Sequence, residues 1–186
     1  MKQHILPAVR LTLVTLVFFS GIYTIIILGI AQITPFEGRG EVIEAGGQKY
    51  YTNVGQKFTE DKYFSSRPSA VDYNAAGSGG SNKGPSNAEY LAVVQARIDT
   101  FLVRNPGVKK TQIPVELVTA SGSGLDPDIS PKAALVQVER IAKVRNLPAD
   151  KVGDLVESNI QGPLLGLFGP SKINVLKLNI ALDQLK

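Results

Sequence analysis

The 186-residue sequence contains no cysteine and a single histidine, His4, near its amino end. Without cysteine there can be no disulfide, thiolate metal site or cysteine nucleophile. One histidine in an N-terminal tail likewise excludes a histidine triad and a histidine-rich metal cluster. No Asp or Glu precedes Glu37, and no dense Lys/Arg block with interleaved aromatics occurs anywhere. The formal charge is +4, yet beyond Lys2 and Arg10 only 18 basic residues face 16 acidic ones. That balance leaves no phosphate-tracking surface, so nucleic acid is not an expected partner.

What is present first is an uncharged run, "LTLVTLVFFSGIYTIIILGIAQI", from Leu11 to Ile33. At about 1.5 Å per residue it reaches roughly 34 Å, enough for a bilayer core. A secretory signal has a shorter apolar region, of about 7–15 residues, and a small-x-small cleavage site. This run ends instead in "AQITPF", and the expectation is a retained anchor. Lys2 and Arg10 before it place the amino end in the cytoplasm and the remaining roughly 150 residues outside. On a helical wheel Ser20, Thr24 and Ala31 share a sector with Gly21 at its edge. Such a stripe either admits a second membrane helix closely or faces lipid without consequence.

The expected division is a cytoplasmic tail (1–10), the span (11–33), a linker (34–40) and a soluble domain (41–186). Within the domain, "GEVIEAGGQKYYTNVGQKF" predicts two short strands or a hairpin, with Gly46-Gly47 as the turn signal. "YFSSRPSAVDYNAAGSGGSNKGPSN" has neither helical nor strand period, and a loop that long in a compact domain is functional or disordered. Ser86 to Glu89 has capping-box spacing, and Leu91, Val94, Ile98, Phe101 and Leu102 then recur at helical intervals. Ile113, Val115 and Leu117 alternate, which predicts a strand. Ser130 and Pro131 open a second helix with Ala134, Leu135, Val138, Ile141 and Ala142 on its apolar face. "ADKVGDLVES" predicts a third helix, and Val175 to Leu182 a final strand. The fold class is therefore mixed α/β (α+β), an extracytoplasmic domain behind one N-terminal transmembrane helix.

Several residues invite a chemical reading. Ser121, Gly122, Ser123 and Gly124 follow the predicted strand, and such small residues can form an anion-holding nest. A tight strand-to-helix turn explains them better, because neither a P-loop nor a full dinucleotide fingerprint is present. Asp126 and Asp128 flank Pro127 without a third carboxylate at metal-binding spacing. Asp126 is expected to order the turn through backbone amides, with Asp128 in solvent. Arg67, among Tyr63, Phe64 and Tyr73, either stacks on them or pairs with an acid of the core or of a partner. Gln137, at the apolar border of its helix, is either a partner contact or an ordinary flanking residue. No metal site is expected.

Three blocks, "YFSSRPSAVDYNAAGSGGSNKGPSN", "VTASGSGLDPDISPKAALVQVERIA" and "GPLLGLFGPSKINVLKLNIALD", closely resemble the C subunit of the Kdp potassium-transporting ATPase. They come in that family's order behind one membrane span, and the likeness covers most of the chain. Lys83 stands where the family usually has Leu, and Asp128 where it has His. "QKYYTNVGQKF" is a weak version of the family's "GS-x-LIGQ-F".

The resemblance implies an accessory subunit of a high-affinity potassium pump. Its implied partners are a channel-like subunit, a P-type ATPase subunit and a small single-span subunit. It implies a catalytic chaperone that raises the ATPase subunit's affinity for ATP, with ATP itself as a bound cofactor, and no independent catalysis. A domain outside the cytoplasm cannot reach cytoplasmic ATP, and capping the channel entrance while clamping the complex is the physically preferred role. Ser78, Gly79, Gly80, Ser81 and Asn82 then belong to an ordered loop. With Arg67, Ser121 to Gly124, Asp126 and Gln137 they are the candidate partner or nucleotide contacts. Two other classes compete: a membrane-anchored extracytoplasmic ligand-binding or sensor protein, and an anchored hydrolase.

Overall fold

The computed structural model describes residues 2–185. The chain forms two compact units, the first ending at Glu41 and the second starting at Val42.

The first unit is one helical rod. Helix α1 (Lys2–Leu16) passes through a π-helical stretch (Val17–Tyr23) into α2 (Thr24–Ile33). Among the described residues it is the one helix long and apolar enough to cross a membrane, from Gln3 to Ile33. Helical bonding thus runs through most of the expected tail, since "KQHILPAVR" carries no helix-stopping cap before the apolar run. The Thr24 hydroxyl donates to the Phe19 carbonyl, five residues back, at 3.0 Å, in keeping with i→i+5 spacing. Ser20 and Gly21 lie within the π stretch, and Thr24 and Ala31 beyond it. A short 3-10 turn at Pro35–Gly38 follows.

The second unit is a small α/β domain. Strands β1 (Val42–Ala45) and β2 (Gln48–Tyr51) pair antiparallel, with Ala45 opposite Gln48. Gly46 and Gly47 both adopt positive φ, +57° and +78°, as a type I′ hairpin turn requires. No helix or strand occurs from residue 52 to 87. Helix α3 (Ala88–Arg104) is capped by Asn87, whose side chain accepts from the Tyr90 amide. The cap is therefore one residue beyond the expected Ser86.

Three further expectations are corrected. The stretch from Ile113 to Leu117 is not a strand: Ile113 and Pro114 link a 3-10 turn at Lys110–Gln112 to another at Val115–Leu117. Pro114 between them lacks the amide a ladder needs. The second helix is two, α4 (Pro131–Leu135) and α5 (Val138–Arg145), broken at Val136-Gln137. Ser130 caps α4 as expected, but Ala133 is buried and Leu135 is 44% exposed. After α6 (Ala149–Ser158), the predicted last strand is a helix, α7 (Val175–Gln184). Val175, Leu176, Leu178, Asn179 and Leu182 are its buried residues, the spacing of one helical face. Asn174 caps it by accepting from the Lys177 amide.

A second two-stranded sheet, β3 (Asp128–Ile129) with β4 (Ile173–Asn174), joins the turn before α4 to the start of α7. The core lies between α4, α5, α6 and α7. Ile141, Val152, Val156, Leu178 and Leu182 meet there, with Phe64 inserted from the long loop.

Candidate functional site

The long loop is fastened at three places. At the first, polar side chains on α7, on α5 and at the break before α5 grip its backbone. Asn179, 1% exposed, accepts from the Phe64 amide at 2.8 Å and donates to the Phe64 carbonyl at 3.0 Å. Gln137 accepts from the Ser65 amide at 2.9 Å and donates to the Ala133 carbonyl at 2.9 Å. Arg140 donates to the carbonyls of Asp61 and Tyr63 and to the side chains of Asn105 and Gln137. Its guanidinium is pushed down to about 10, chiefly by burial and then by neighbouring Arg104, against the opposing pull of Asp61. Arg145 donates to the Lys62 carbonyl and to Asp183, and lies over the Tyr63 ring. These grips satisfy backbone groups that no helix or sheet serves.

The second fastening surrounds Arg67. Its guanidinium pairs with Asp126 at 2.8 Å, an acid of its own domain. The other Asp126 oxygen accepts from the Asp128 amide at 3.1 Å, so Asp126 orders its turn as expected. Asp128 is not in solvent: Lys172 pairs with it at 2.6 Å. Ser69 Oγ accepts from the amides of Val71 and Tyr73 and supports positive φ at Asp72 and Tyr73. The Tyr73 hydroxyl donates to the Arg67 carbonyl. Burial, reinforced by the Asp72 carboxylate, pushes that phenol up to about 12.

At the third, the two glycine-rich blocks lie backbone against backbone. The Gly79 amide and the Ser78 hydroxyl both donate to the Ser123 carbonyl, at 2.8 and 2.9 Å. A Cβ on Gly80 would stand 2.9 Å from the Gly122 carbonyl oxygen. Gly124 has φ +69°, and a Cβ there would stand 2.7 Å from the Gly79 carbonyl oxygen. Small residues are needed because the main chains approach this closely. Asn82 takes the left-handed conformation, φ +52°, and is exposed. Ser81 opens onto a shallow depression of about 460 Å³ that Lys83, Tyr90 and Arg97 also line.

Several amides of the Ser121–Leu125 turn are engaged inside the domain. The Ser121 amide is spent on the Pro68 carbonyl and the Gly124 amide on the Ser121 carbonyl, and the Leu125 amide on Ser123 Oγ. The turn lies between the 3-10 turn Val115–Leu117 and β3, not between a strand and a helix as expected, and these three amides are spent within the domain. Gln137 is fully buried, with both ends of its amide engaged inside the domain, so it faces the core and not a partner.

Sequence reasoning missed Asn174, Asn179, Arg140 and Arg145. The available signal was a polar residue on an otherwise apolar helical face, as with Asn179 four places after Val175 and Arg140 beside Ile141.

One helix long and apolar enough to cross a membrane, followed by a small α/β domain, is the architecture of a membrane-anchored protein. The chain belongs to the family described as KdpC, the K+-transporting ATPase c chain, which it matches over residues 5–184. It is 56% identical to the potassium-transporting ATPase KdpC subunit of Flavobacterium johnsoniae over 185 residues, 99% of this chain and all of that one. The same subunit of Bacteroides fragilis strain YCH46 is 50% identical over 188 residues, covering 99% and 98% of the two chains. That of Caldanaerobacter subterraneus is 46% identical over 184 residues, covering 98% and 95%.

Proposed function

We propose that this chain holds a potassium-transporting ATPase together from outside the cytoplasm and performs no chemistry of its own. The α/β domain caps the potassium entrance of the channel-like subunit, and the Ser20–Thr24 region of the apolar helix packs against other spans. Apparent ATP affinity at the hydrolysing subunit rises indirectly, because clamping the complex favours its binding-competent conformation. The observation that supports this reading is the inward use of Arg67, Asp126 and Gln137. All three are spent on fixing the domain's shape, as a rigid clamp demands and a ligand site does not.

The test compares the assembled pump with the pump lacking this chain. Potassium uptake should collapse without it, and the ATP concentration for half-maximal hydrolysis should rise. Protease applied to intact spheroplasts should cleave within residues 42–185. Cleavage only from the cytoplasmic side, or unchanged ATP dependence, would overturn the proposal.

A further inference from the structure

Of the arginines in the α/β domain, Arg67, Arg104 and Arg145 each pair with an acid. Arg140 has none, but its Nε and both Nη groups donate to oxygens of the protein. Arg97, on α3 and half-buried, is different. One Nη donates to the Val118 carbonyl at 3.2 Å. Among the described residues its other donors meet no acceptor, and no carboxylate pairs with it. Partial burial of a charge is costly when no counter-ion offsets it.

Arg97 faces the depression of about 460 Å³ onto which Ser81 opens, a volume within the range of small-ligand sites. The long loop contributes Ser69 and Ser81 to its wall, and α3 contributes Tyr90. Ser69 Oγ accepts from the Val71 and Tyr73 amides, and the Tyr90 hydroxyl accepts from the Ala120 amide at 3.4 Å. Each therefore keeps its proton for a further acceptor. The Ser81 hydroxyl has no partner among the described residues. At the rim Lys83 stands 3.6 Å from Glu89. Those two charges offset each other, and Arg97 leaves one positive charge unmatched.

We propose that this depression binds a single carboxylate group, held by the Arg97 guanidinium and the hydroxyls of Ser69, Ser81 and Tyr90. The planar fork of a guanidinium matches the two oxygens of a carboxylate, and one carboxylate supplies the one missing charge. A phosphate dianion would overshoot it beside Glu89. A carboxylate here also bridges the long loop to α3. The same chemistry can come from a free organic acid or from an Asp or Glu side chain of a neighbouring pump subunit.

Phenylglyoxal labelling of the full chain in detergent, read at each arginine by mass, tests the site with acetate as probe. At ten times its half-protecting concentration, acetate should slow labelling of Arg97 about tenfold. Exposed Arg39, paired with Glu37, should be unaffected, and chloride at equal ionic strength should not protect Arg97. Ser81→Ala should raise the half-protecting concentration about 2–10-fold at an unchanged melting temperature. Glu89→Gln, at a side chain 86% exposed, should lower it. Equal protection by chloride or phosphate, no protection at ~100 mM acetate, or indifference to both variants would each overturn the proposal. The assembled pump then separates the sources. If Arg97 is protected there only when acetate is added, the ligand is a free acid. If it is already protected, and the two variants shift that protection in the same opposite directions, the carboxylate belongs to a neighbouring subunit. Protection in the pump that neither variant alters would be simple covering and would overturn the proposal.

Discussion

Replacing Asn179 tests whether the inward-facing polar network holds the long loop in place. Its amide closes two bonds with the Phe64 main chain, at 2.8 and 3.0 Å, in a place where Phe64 is 0% and Asn179 1% exposed. Asn179→Leu keeps the volume and orphans one buried donor and one buried acceptor, each costing about 1–3 kcal/mol. The sum is roughly 2–6 kcal/mol, and at ~3 °C per kcal/mol the melting midpoint should fall by roughly 6–18 °C. Asn179→Asp separates geometry from charge. Protonated, the introduced carboxyl can still donate to the Phe64 carbonyl and accept from its amide; ionised, it can only accept. Burial raises its pKa in the folded state, with each unit worth about 1.4 kcal/mol. Since the folded value is the raised one, stability is retained below about pH 4 and lost as pH rises through the folded value. Circular-dichroism melts of the full chain in detergent across that range measure both effects. If both variants melt within about 1 °C of the parent, or the aspartate variant is weakest in acid, the clasp is not what holds the loop.

Gly124→Ala forces a side chain onto a left-handed residue and against the Gly79 carbonyl. It should destabilise the domain by about 2–4 kcal/mol, read as a lower melting midpoint, and parental stability would refute the backbone-on-backbone packing. Arg140→Met removes the donors to the Asp61 and Tyr63 carbonyls and to Asn105 and Gln137. It should cost more than Val103→Met on the exposed face of α3, by about 2 kcal/mol or more in denaturant titration. Tyr73, raised from 10 to about 12, should ionise last or among the last in an ultraviolet phenolate titration. Its contribution is complete below pH 10 and lost as pH rises through about 12, and Tyr73→Phe should abolish that alkaline dependence.

The parts legible from sequence are those whose cause is local. Gly46-Gly47 between short β-forming runs signals a turn, and "ADKVGDLVES" carries a helix's whole amphipathic period within ten residues. Asp126 was readable as a turn organiser because its bond reaches only two residues on. The errors arise where local evidence serves two structures. "VLKLNIAL" is apolar enough for a buried strand or a buried helix, and the decision falls to Asn174 as a cap. The grips of Gln137, Arg140 and Asn179 were illegible for another reason. Their partners lie 72 to 115 residues away along the chain, and no window of periodicity contains such a pairing.

That separation has a consequence for how the molecule is made. Phe64 leaves the ribosome 115 residues before Asn179, so a nascent chain must carry an unclasped aromatic and its bare main-chain groups until α7 has been made. Polypeptides cut short before the last helix would keep this seam open and present it to proteases and chaperones. Closure of the domain around Phe64 therefore waits on α7, the helix that carries Asn179.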